Sequence, residues 1–196
     1  MKFLLLFILF VNLANASNLS GRIKHDNYEV AEESENQLMF SIESVKAGLF
    51  SSTHVGYVKS FDYNVDLSKK KLKNMRISFD VKEMDTDNSI RDEKLHNECM
   101  KINEHPRLII EIIDEVEISE LEKGKKIEGK VKILGKEKRF IAQISGELEE
   151  DELEVNVESV WGFKEMEIPD PSILIAKVKN EIQIKLNLEI KVKDDK

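Results

Sequence analysis

The segment EIQIKLNLEIKV, residues 181–192, alternates between polar and apolar side chains without interruption. A period of two residues is typical of a β-strand with one buried face and one solvated face. Strands of this kind occur in antiparallel sheets, because parallel sheets are covered on both faces. The apolar face here consists of Ile182, Ile184, Leu186, Leu188, Ile190 and Val192. The segment therefore predicts an antiparallel sheet around an apolar interior.

The same alternation recurs along most of the chain, at residues 38–42, 55–67, 75–81, 108–113, 127–134, 137–145 and 153–157. Residues 90–100 lose the period of two and predict one sizeable helix, capped by Asp87 or Asn88. Strands do not alternate with helices, which favours an antiparallel barrel or a sandwich. We predict a mainly β fold of about eight antiparallel strands with one main helix.

The start of the chain has the pattern of an export signal. Lys2 gives a basic beginning, Phe3–Val11 is apolar, and Ala14-Asn15-Ala16 matches a signal-peptidase site. The apolar run is too short for a comfortable membrane span of about 20 residues. We interpret residues 1–16 as a cleaved signal peptide. The mature chain is then exported, with no transmembrane segment. Residues 17–36 are predicted to form a loosely ordered arm with a short strand near 28–31, before a barrel domain over 37–193.

Composition narrows the classes of function. The formal net charge of −8 argues against a nucleic-acid partner and against electrostatic attachment to anionic lipid surfaces. The single cysteine, Cys99, excludes an intramolecular disulfide, so the core must stabilise the fold. His96 and Cys99 share a predicted helix but lack the further ligands of a metal site. Common catalytic and phosphate-binding motifs are absent from the sequence. We expect no metal, no cofactor and no enzymatic activity.

Several segments in the same order resemble the YceI-like family. They are LMFSI at 38–42, MDTDNSIRDEKL at 84–95, HPRL at 105–108, IEGKVKILGKEK at 127–138, and Gly162-Phe163. The resemblance covers roughly residues 38–192. It implies a lipocalin-like extended antiparallel barrel, a periplasmic location, and binding of a polyisoprenoid, isoprenoid quinone or fatty-acid-like lipid in the interior. It also raises a homodimer as an expectation.

The chain departs from the family pattern near the presumed cavity mouth. Glu43-Ser44 stands where the family usually has a histidine, and Cys99-Met100 replaces a pair of phenylalanines. The segment Val45–His54 is predicted to be a longer loop than usual. These changes bear on the ligand rather than on the fold.

An apolar barrel interior is either a packed core or a cavity. The alternation alone favours a packed core, whereas the resemblance favours a cavity. In a hollow barrel, Arg91 would meet a ligand's polar headgroup; otherwise it would make a local cap or ion pair. The apolar side chains predicted to bind the tail are Phe40, Ile42, Val55, Tyr57, Phe61, Ile77, Phe79, Val81, Ile110, Ile112, Trp161, Phe163, Ile184 and Leu186.

The sequence therefore predicts an exported carrier of an amphiphilic lipid, and two alternatives stay open. One is a ligand-free interaction module on a filled barrel, which would show an exposed apolar patch near residues 45–55. The other is an enzyme acting on a bound lipid, which would show a perturbed histidine or carboxylate in the cavity.

Overall fold

A single antiparallel sheet of twelve strands, curled into a half-barrel, dominates the computed structural model, which describes residues 17–172 and 176–192. The strands are β1 (Ser17–Lys24), β2 (Gln37–Lys46), β3 (Phe50–Val58), β4 (Ser60–Ser68), β5 (Lys71–Asp80), β6 (Met84–Asp85), β7 (Arg107–Ile112), β8 (Val116–Glu117), β9 (Lys125–Ile133), β10 (Lys136–Glu149), β11 (Glu152–Trp161) and β12 (Ala176–Lys191). Their order in the sheet is β1-β4-β5-β7-β9-β10-β11-β12-β2-β3-β6, with β8 beside β5.

The helices in the described residues are short. They are α1 (Tyr28–Glu32), α2 (Ser89–Lys94) and α3 (Ile118–Leu121), with a 3₁₀ turn at Val81–Glu83 and a π-helical turn at Leu95–Cys99 that continues α2. The Asn88 side chain accepts a hydrogen bond from the Arg91 amide and caps α2. The predicted helix and one of its two predicted cap residues are therefore confirmed.

Strand β12 confirms the alternation from which the fold was predicted. It pairs with β11 on one side and with β2 on the other, and Ile182 lies opposite both Trp161 and Ile42. Its even-numbered side chains from Ile182 to Ile190 face the interior, and its odd-numbered ones face outward. The mainly β, antiparallel prediction is thus correct.

The predicted number of about eight strands is wrong. The alternating stretch 55–67 is two strands, because the chain turns at Lys59 and passes from β3 into β4. Two-residue strands such as β6 are too short to show a periodicity. Residues 17–36, predicted to be a loosely ordered arm, contain strand β1, which pairs with β4 along its whole length.

Two local predictions also differ from the structure. The expected strand near residues 28–31 is helix α1, capped by the Asn27 side chain, which accepts a hydrogen bond from the Val30 amide. The expected long loop at 45–54 is a hairpin, because β2 runs to Lys46 and β3 begins at Phe50. The predicted signal peptide, residues 1–16, lies outside the described residues.

Aromatic rings cover glycines across neighbouring strands. Phe40 lies opposite Gly56 and Phe140 lies opposite Gly129, and a Cβ at either glycine would overlap the facing ring. Glycine in a strand interior often marks such a close approach. The Phe40 ring therefore lies over Gly56 of β3. The Phe140 ring lies over Gly129 and beside Trp161, with ring centroids 5.2 Å apart.

One end of the half-barrel is a packed core. Phe61, Val65, Leu153 and Leu188 are at most 1% exposed there. The gap left among these strands is a void of only about 30 Å³, far below the volume of about 300–1,000 Å³ that is usual for ligand pockets. The packed-core prediction therefore describes this end.

We predict that Leu153→Ala lowers the free energy of unfolding by about 2–5 kcal/mol, because Leu153 is fully buried and the substitution leaves a cavity. Val160→Ala on the same strand should cost less than about 1 kcal/mol, because Val160 faces outward and is 54% exposed. Urea unfolding followed by circular dichroism measures both. Equal losses would contradict the assigned inward and outward faces of β11.

Candidate functional site

The other end of the half-barrel encloses a cavity of about 400 Å³. Its walls come from β2, the beginning of β3, the end of β11 and the beginning of β12. Helix α2, the π-helical turn and residues 163–171 close over them. The lining residues are Phe40, Ile42, Ser44, Lys46, Ser52, His54, Met84, Thr86, Ile90, Arg91, Lys94, Leu95, Cys99, Met100, Leu108, Ile133, Trp161, Phe163, Ile168, Pro171, Ala176, Val178, Ile182 and Ile184. A volume of this size falls within the usual range of ligand pockets, about 300–1,000 Å³.

The body of the cavity is apolar because strand periodicity points one set of side chains inward. On β2 the even-numbered residues Phe40 and Ile42 face the cavity, and on β12 Ile182 and Ile184 face them across the pairing. A register irregularity between Val178 and Ile182 keeps Val178 on the same face beyond the bulge. The result is a wall suited to an apolar ligand.

The charged residues that line the cavity are all positive. Lys46, Arg91 and Lys94 are cationic, and the 24 lining residues within the described part of the chain include neither Asp nor Glu. Lys46 and Arg91 are also exposed, as is Ile90, at 79%. These residues mark the open mouth of the cavity.

Hydrogen bonds to a single threonine fix the position of Arg91. Its Nη2 donates to the Thr86 carbonyl at 2.7 Å, and its Nε donates to Thr86 Oγ1 at 3.2 Å. Thr86 Oγ1 and the Thr86 amide both donate to the Asp92 carboxylate, at 2.7 and 2.9 Å. Arg91 thus makes local hydrogen bonds and also lines the cavity. Contact between Arg91 and a ligand headgroup stays a prediction.

A serine and a histidine form a polar pair on the cavity wall. Ser44 Oγ lies 2.8 Å from His54 Nε2 across the β2–β3 pairing. Burial, and secondly the positive charge of Arg91, lower the pKa of His54 below its ordinary value. The imidazole is therefore held neutral near pH 7.

Two native reporter groups also line the cavity. Trp161 is the only tryptophan of the chain and is 4% exposed; its Nε1 is buried without a hydrogen-bond partner among the described residues. Cys99 is the only cysteine and is 3% exposed, and burial raises the pKa of its thiol. Molecules that enter the cavity should change the fluorescence of Trp161 and the reactivity of the Cys99 thiol.

The fifteen predicted site residues fall into four places. Phe40, Ile42, Arg91, Trp161, Phe163 and Ile184 line the cavity. Ile77, Ile110, Ile112 and Leu186 line the small void, which Trp161 and Ile184 also border. Phe61, Phe79 and Val81 lie in the packed core. Val55 and Tyr57 lie on the opposite face of the sheet in a separate cluster with Tyr28 and Ala31 of α1.

The displacement of Val55 and Tyr57 follows from the turn at Lys59. On β3 the even-numbered residues face inward, whereas on β4 the odd-numbered Phe61 and Val65 do. The sequence analysis treated the two strands as one and extended the odd-numbered inward phase of β4 into β3. This placed the side chains of β3 on the wrong face, because a shift of one residue reverses the face of every side chain. The correct phase would have identified Ser52 and His54 as cavity residues.

Sequence reasoning missed the polar wall and the covering residues. Ser44 and Lys46 continue the inward phase of Phe40 and Ile42 on β2, and this phase was the signal that could have found them. Met100, Ile168 and Pro171 lie in irregular segments, where no periodicity identifies the inward face.

Residues 17–172 and 176–192 contain no group of three or more histidine, cysteine, aspartate and glutamate side chains that could hold a metal ion. Within the same ranges, every helix falls short of the length and apolar character that a bilayer crossing needs.

The family model for the YceI-like domain matches residues 18–190. The chain belongs to the YceI-like family. The match begins within β1, so it takes in the strand that the sequence analysis left outside the barrel domain. No curated protein sequence matches the chain significantly.

Solved structures of this fold come from several bacteria. A polyisoprenoid-binding domain from Saccharophagus degradans has a TM-score of 0.58 at 6% identity, covering 80% of this chain and 94% of that domain. Burkholderia cenocepacia BcnA has a TM-score of 0.61 at 13% identity, covering 76% of this chain and 95% of BcnA. The Campylobacter jejuni YceI protein has a TM-score of 0.61 at 14% identity, covering 71% of this chain and 85% of that protein. At these identities the similarity shows the fold of this YceI-like chain.

We predict that His54 titrates below its ordinary pKa of about 6.5, and that Arg91→Gln raises the pKa of His54 by removing a nearby positive charge. Burial is the larger cause of the shift and persists in the variant, so the pKa should rise only part of the way. Histidine-selective NMR over pH 4.5–8.5 measures this. Arg139→Gln on β10 removes a cation that pairs with Glu128 instead, and it should leave His54 unchanged. An unshifted His54 in Arg91→Gln would contradict the assigned proximity.

Proposed function

We propose that this YceI-like protein is an exported carrier that binds a single-tailed amphiphilic lipid in the cavity. The observation that carries the proposal is the combination of an apolar wall with a polar mouth in one enclosed space. An amphiphile satisfies both parts, since its tail leaves water while its headgroup stays at the surface. The fold similarity to a polyisoprenoid-binding domain supports the same class of ligand.

The size of the cavity supports a tail of moderate length. If a methylene group occupies about as much space as a water molecule, roughly 30 Å³, a volume of about 400 Å³ holds roughly a dozen such groups. A fatty acyl chain or a chain of a few isoprene units fits this space. A much longer polyisoprenoid would extend past Lys46 and Ile90 into solvent.

Burial of the tail is the main favourable contribution to binding. Each buried methylene contributes about 0.8 kcal/mol, so a dozen supply about 10 kcal/mol before the costs of association. Those costs are of similar size, about 4–15 kcal/mol, so the expected complex is reversible rather than permanent.

Export stays a prediction from the signal pattern in residues 1–16. The periplasmic location and self-association as a homodimer stay predictions from the resemblance.

A filled interaction module is less well supported. Its interior would be packed throughout, whereas the end near α2 is hollow. Its second expected feature is present, since Leu49 and Phe50 at the tip of the β2–β3 hairpin are 80% and 68% exposed. Phe50 lies opposite Lys46 on that hairpin, so the apolar tip adjoins the cavity mouth.

Lipid binding predicts that Ile42→Trp, which fills part of the cavity, lowers retention of radiolabelled palmitate or farnesol through gel filtration at least tenfold. Ile141→Trp places the same ring on an outward position that is 60% exposed, and it should retain lipid like the parent. Circular dichroism confirms that both variants fold. If the folded Ile42→Trp protein held lipid as well as the parent, the cavity would not be the binding site. If the parent retained neither lipid, the carrier function itself would be wrong.

The enzyme alternative has one specific observation in its favour, the Ser44–His54 hydrogen bond on the cavity wall. A nucleophilic serine needs a base oriented by a third group, and the cavity lining in the described residues offers no carboxylate to His54.

We expect a fluorophosphonate probe to leave Ser44 unlabelled, and Ser44→Ala to bind palmitate like the parent. Intact-protein mass spectrometry reads the labelling. A probe adduct that disappears in Ser44→Ala would instead show that Ser44 is a nucleophile and would favour the enzyme alternative.

A further inference from the structure

We propose that the bound amphiphile carries an anionic headgroup, a carboxylate or a phosphate, held at the cavity mouth by Lys46, Arg91 and Lys94. This inference rests on the proposed carrier function and assigns the chemical class of its ligand.

The charge of the mouth is opposite to the charge of the protein. The chain has a net charge of −8, with 38 acidic and 30 basic side chains. The cavity lining nevertheless contains three cations and, within the described residues, no acidic side chain. Lys46 comes from β2, while Arg91 and Lys94 lie three residues apart on α2, a spacing that places them on one face of the helix. Two separate elements therefore contribute positive charge to the same opening.

The guanidinium of Arg91 is preorganised to bind an anion. A guanidinium has five N–H donors, and the two bonds to Thr86 use one donor on each of two nitrogens. Among the described residues, no carboxylate lies within 4 Å of the Arg91 nitrogens to form an ion pair. The bonds to Thr86 hold the planar group in one orientation, so little side-chain entropy remains to be lost on binding. Its remaining donors suit the oxygens of a carboxylate or a phosphate.

The two lysines are also accessible to a ligand. Lys46 forms no ion pair within the described part of the chain. Lys94 lies 3.3 Å from Glu98, whose side chain is 66% exposed, and an exposed pair of this kind contributes little. Asp92 and Asp170 are the other nearby carboxylates. Asp92 accepts hydrogen bonds from the Thr86 hydroxyl and amide, and Asp170 accepts one from the Ser172 amide at 2.8 Å.

The polar groups behind the mouth are consistent with an anion in front of them. Burial, and secondly the positive charge of Arg91, lower the pKa of His54. The lining at this end includes Lys46, Arg91 and Lys94 and, among the described residues, no acidic side chain. The side chains that line this end therefore carry positive charge. A neutral alcohol or quinone would leave that charge uncompensated, whereas an anionic group would neutralise it in a partly desolvated site, where charge interactions are stronger than in water.

The test compares ligands that differ only in the headgroup. The delipidated full chain is titrated with myristate, tetradecanol, tetradecyl phosphate and inorganic phosphate, and binding is followed by Trp161 fluorescence. Variants Arg91→Gln, Lys94→Gln and Lys46→Gln are compared with Lys130→Gln, which removes a cation paired with Glu111 and Glu137 outside the cavity. Arg91→Gln also removes the hydrogen bonds to Thr86 and could disturb that turn. Lys46→Gln removes a cation of the mouth without removing those bonds, so it tests the charge separately.

We expect myristate or tetradecyl phosphate to bind at least tenfold more tightly than tetradecanol. The cavity variants should reduce that difference without weakening tetradecanol, and Lys130→Gln should preserve it. Equal affinity for charged and neutral ligands would overturn the anionic headgroup and leave the carrier function standing. Binding of inorganic phosphate as tight as that of tetradecyl phosphate would overturn it in favour of a small-anion site. Failure of every tailed ligand to bind would overturn the carrier function and this inference together.

Discussion

The period of two residues in β2 and β12 is the constraint on which the rest of the molecule depends. Because these strands pair with each other, their even-numbered side chains form one continuous inner wall, from Leu38 and Leu186 at the packed end to Ser44 and Val178 at the cavity. A shift of one residue would turn this wall to solvent. The packed core, the cavity and its polar mouth all follow from that phase.

The same wall is filled at one end and hollow at the other. At the packed end, apolar side chains from several strands meet and leave a void of about 30 Å³. At the open end, Ser44, Ser52 and Ala176 are small, and α2 with its π-helical turn covers the space instead of filling it. The two interpretations of the interior, packed core and cavity, thus each describe one half of the molecule.

Much of the fold could be predicted from the sequence, since strand alternation is a local property. The β12 pattern and the Asn88 cap needed only neighbouring residues, and both agree with the structure. The turn at Lys59 and the pairing of β1 with β4 depend on contacts between distant residues, so they could not be inferred in this way. Cavity residues on regular strands, such as Phe40 and Ile184, were predictable, whereas Ile168 and Pro171 on the covering loop were not.

The most direct measurement is native mass spectrometry of the protein purified from its own cells without detergent, followed by organic extraction of the sample. We expect a near-stoichiometric adduct that is lost on extraction and identified as a single-tailed amphiphile. We also expect removal of this molecule to speed the alkylation of Cys99 inside the cavity. A bare polypeptide mass that stays unchanged after incubation with fatty acids and prenyl lipids would contradict the proposed carrier function.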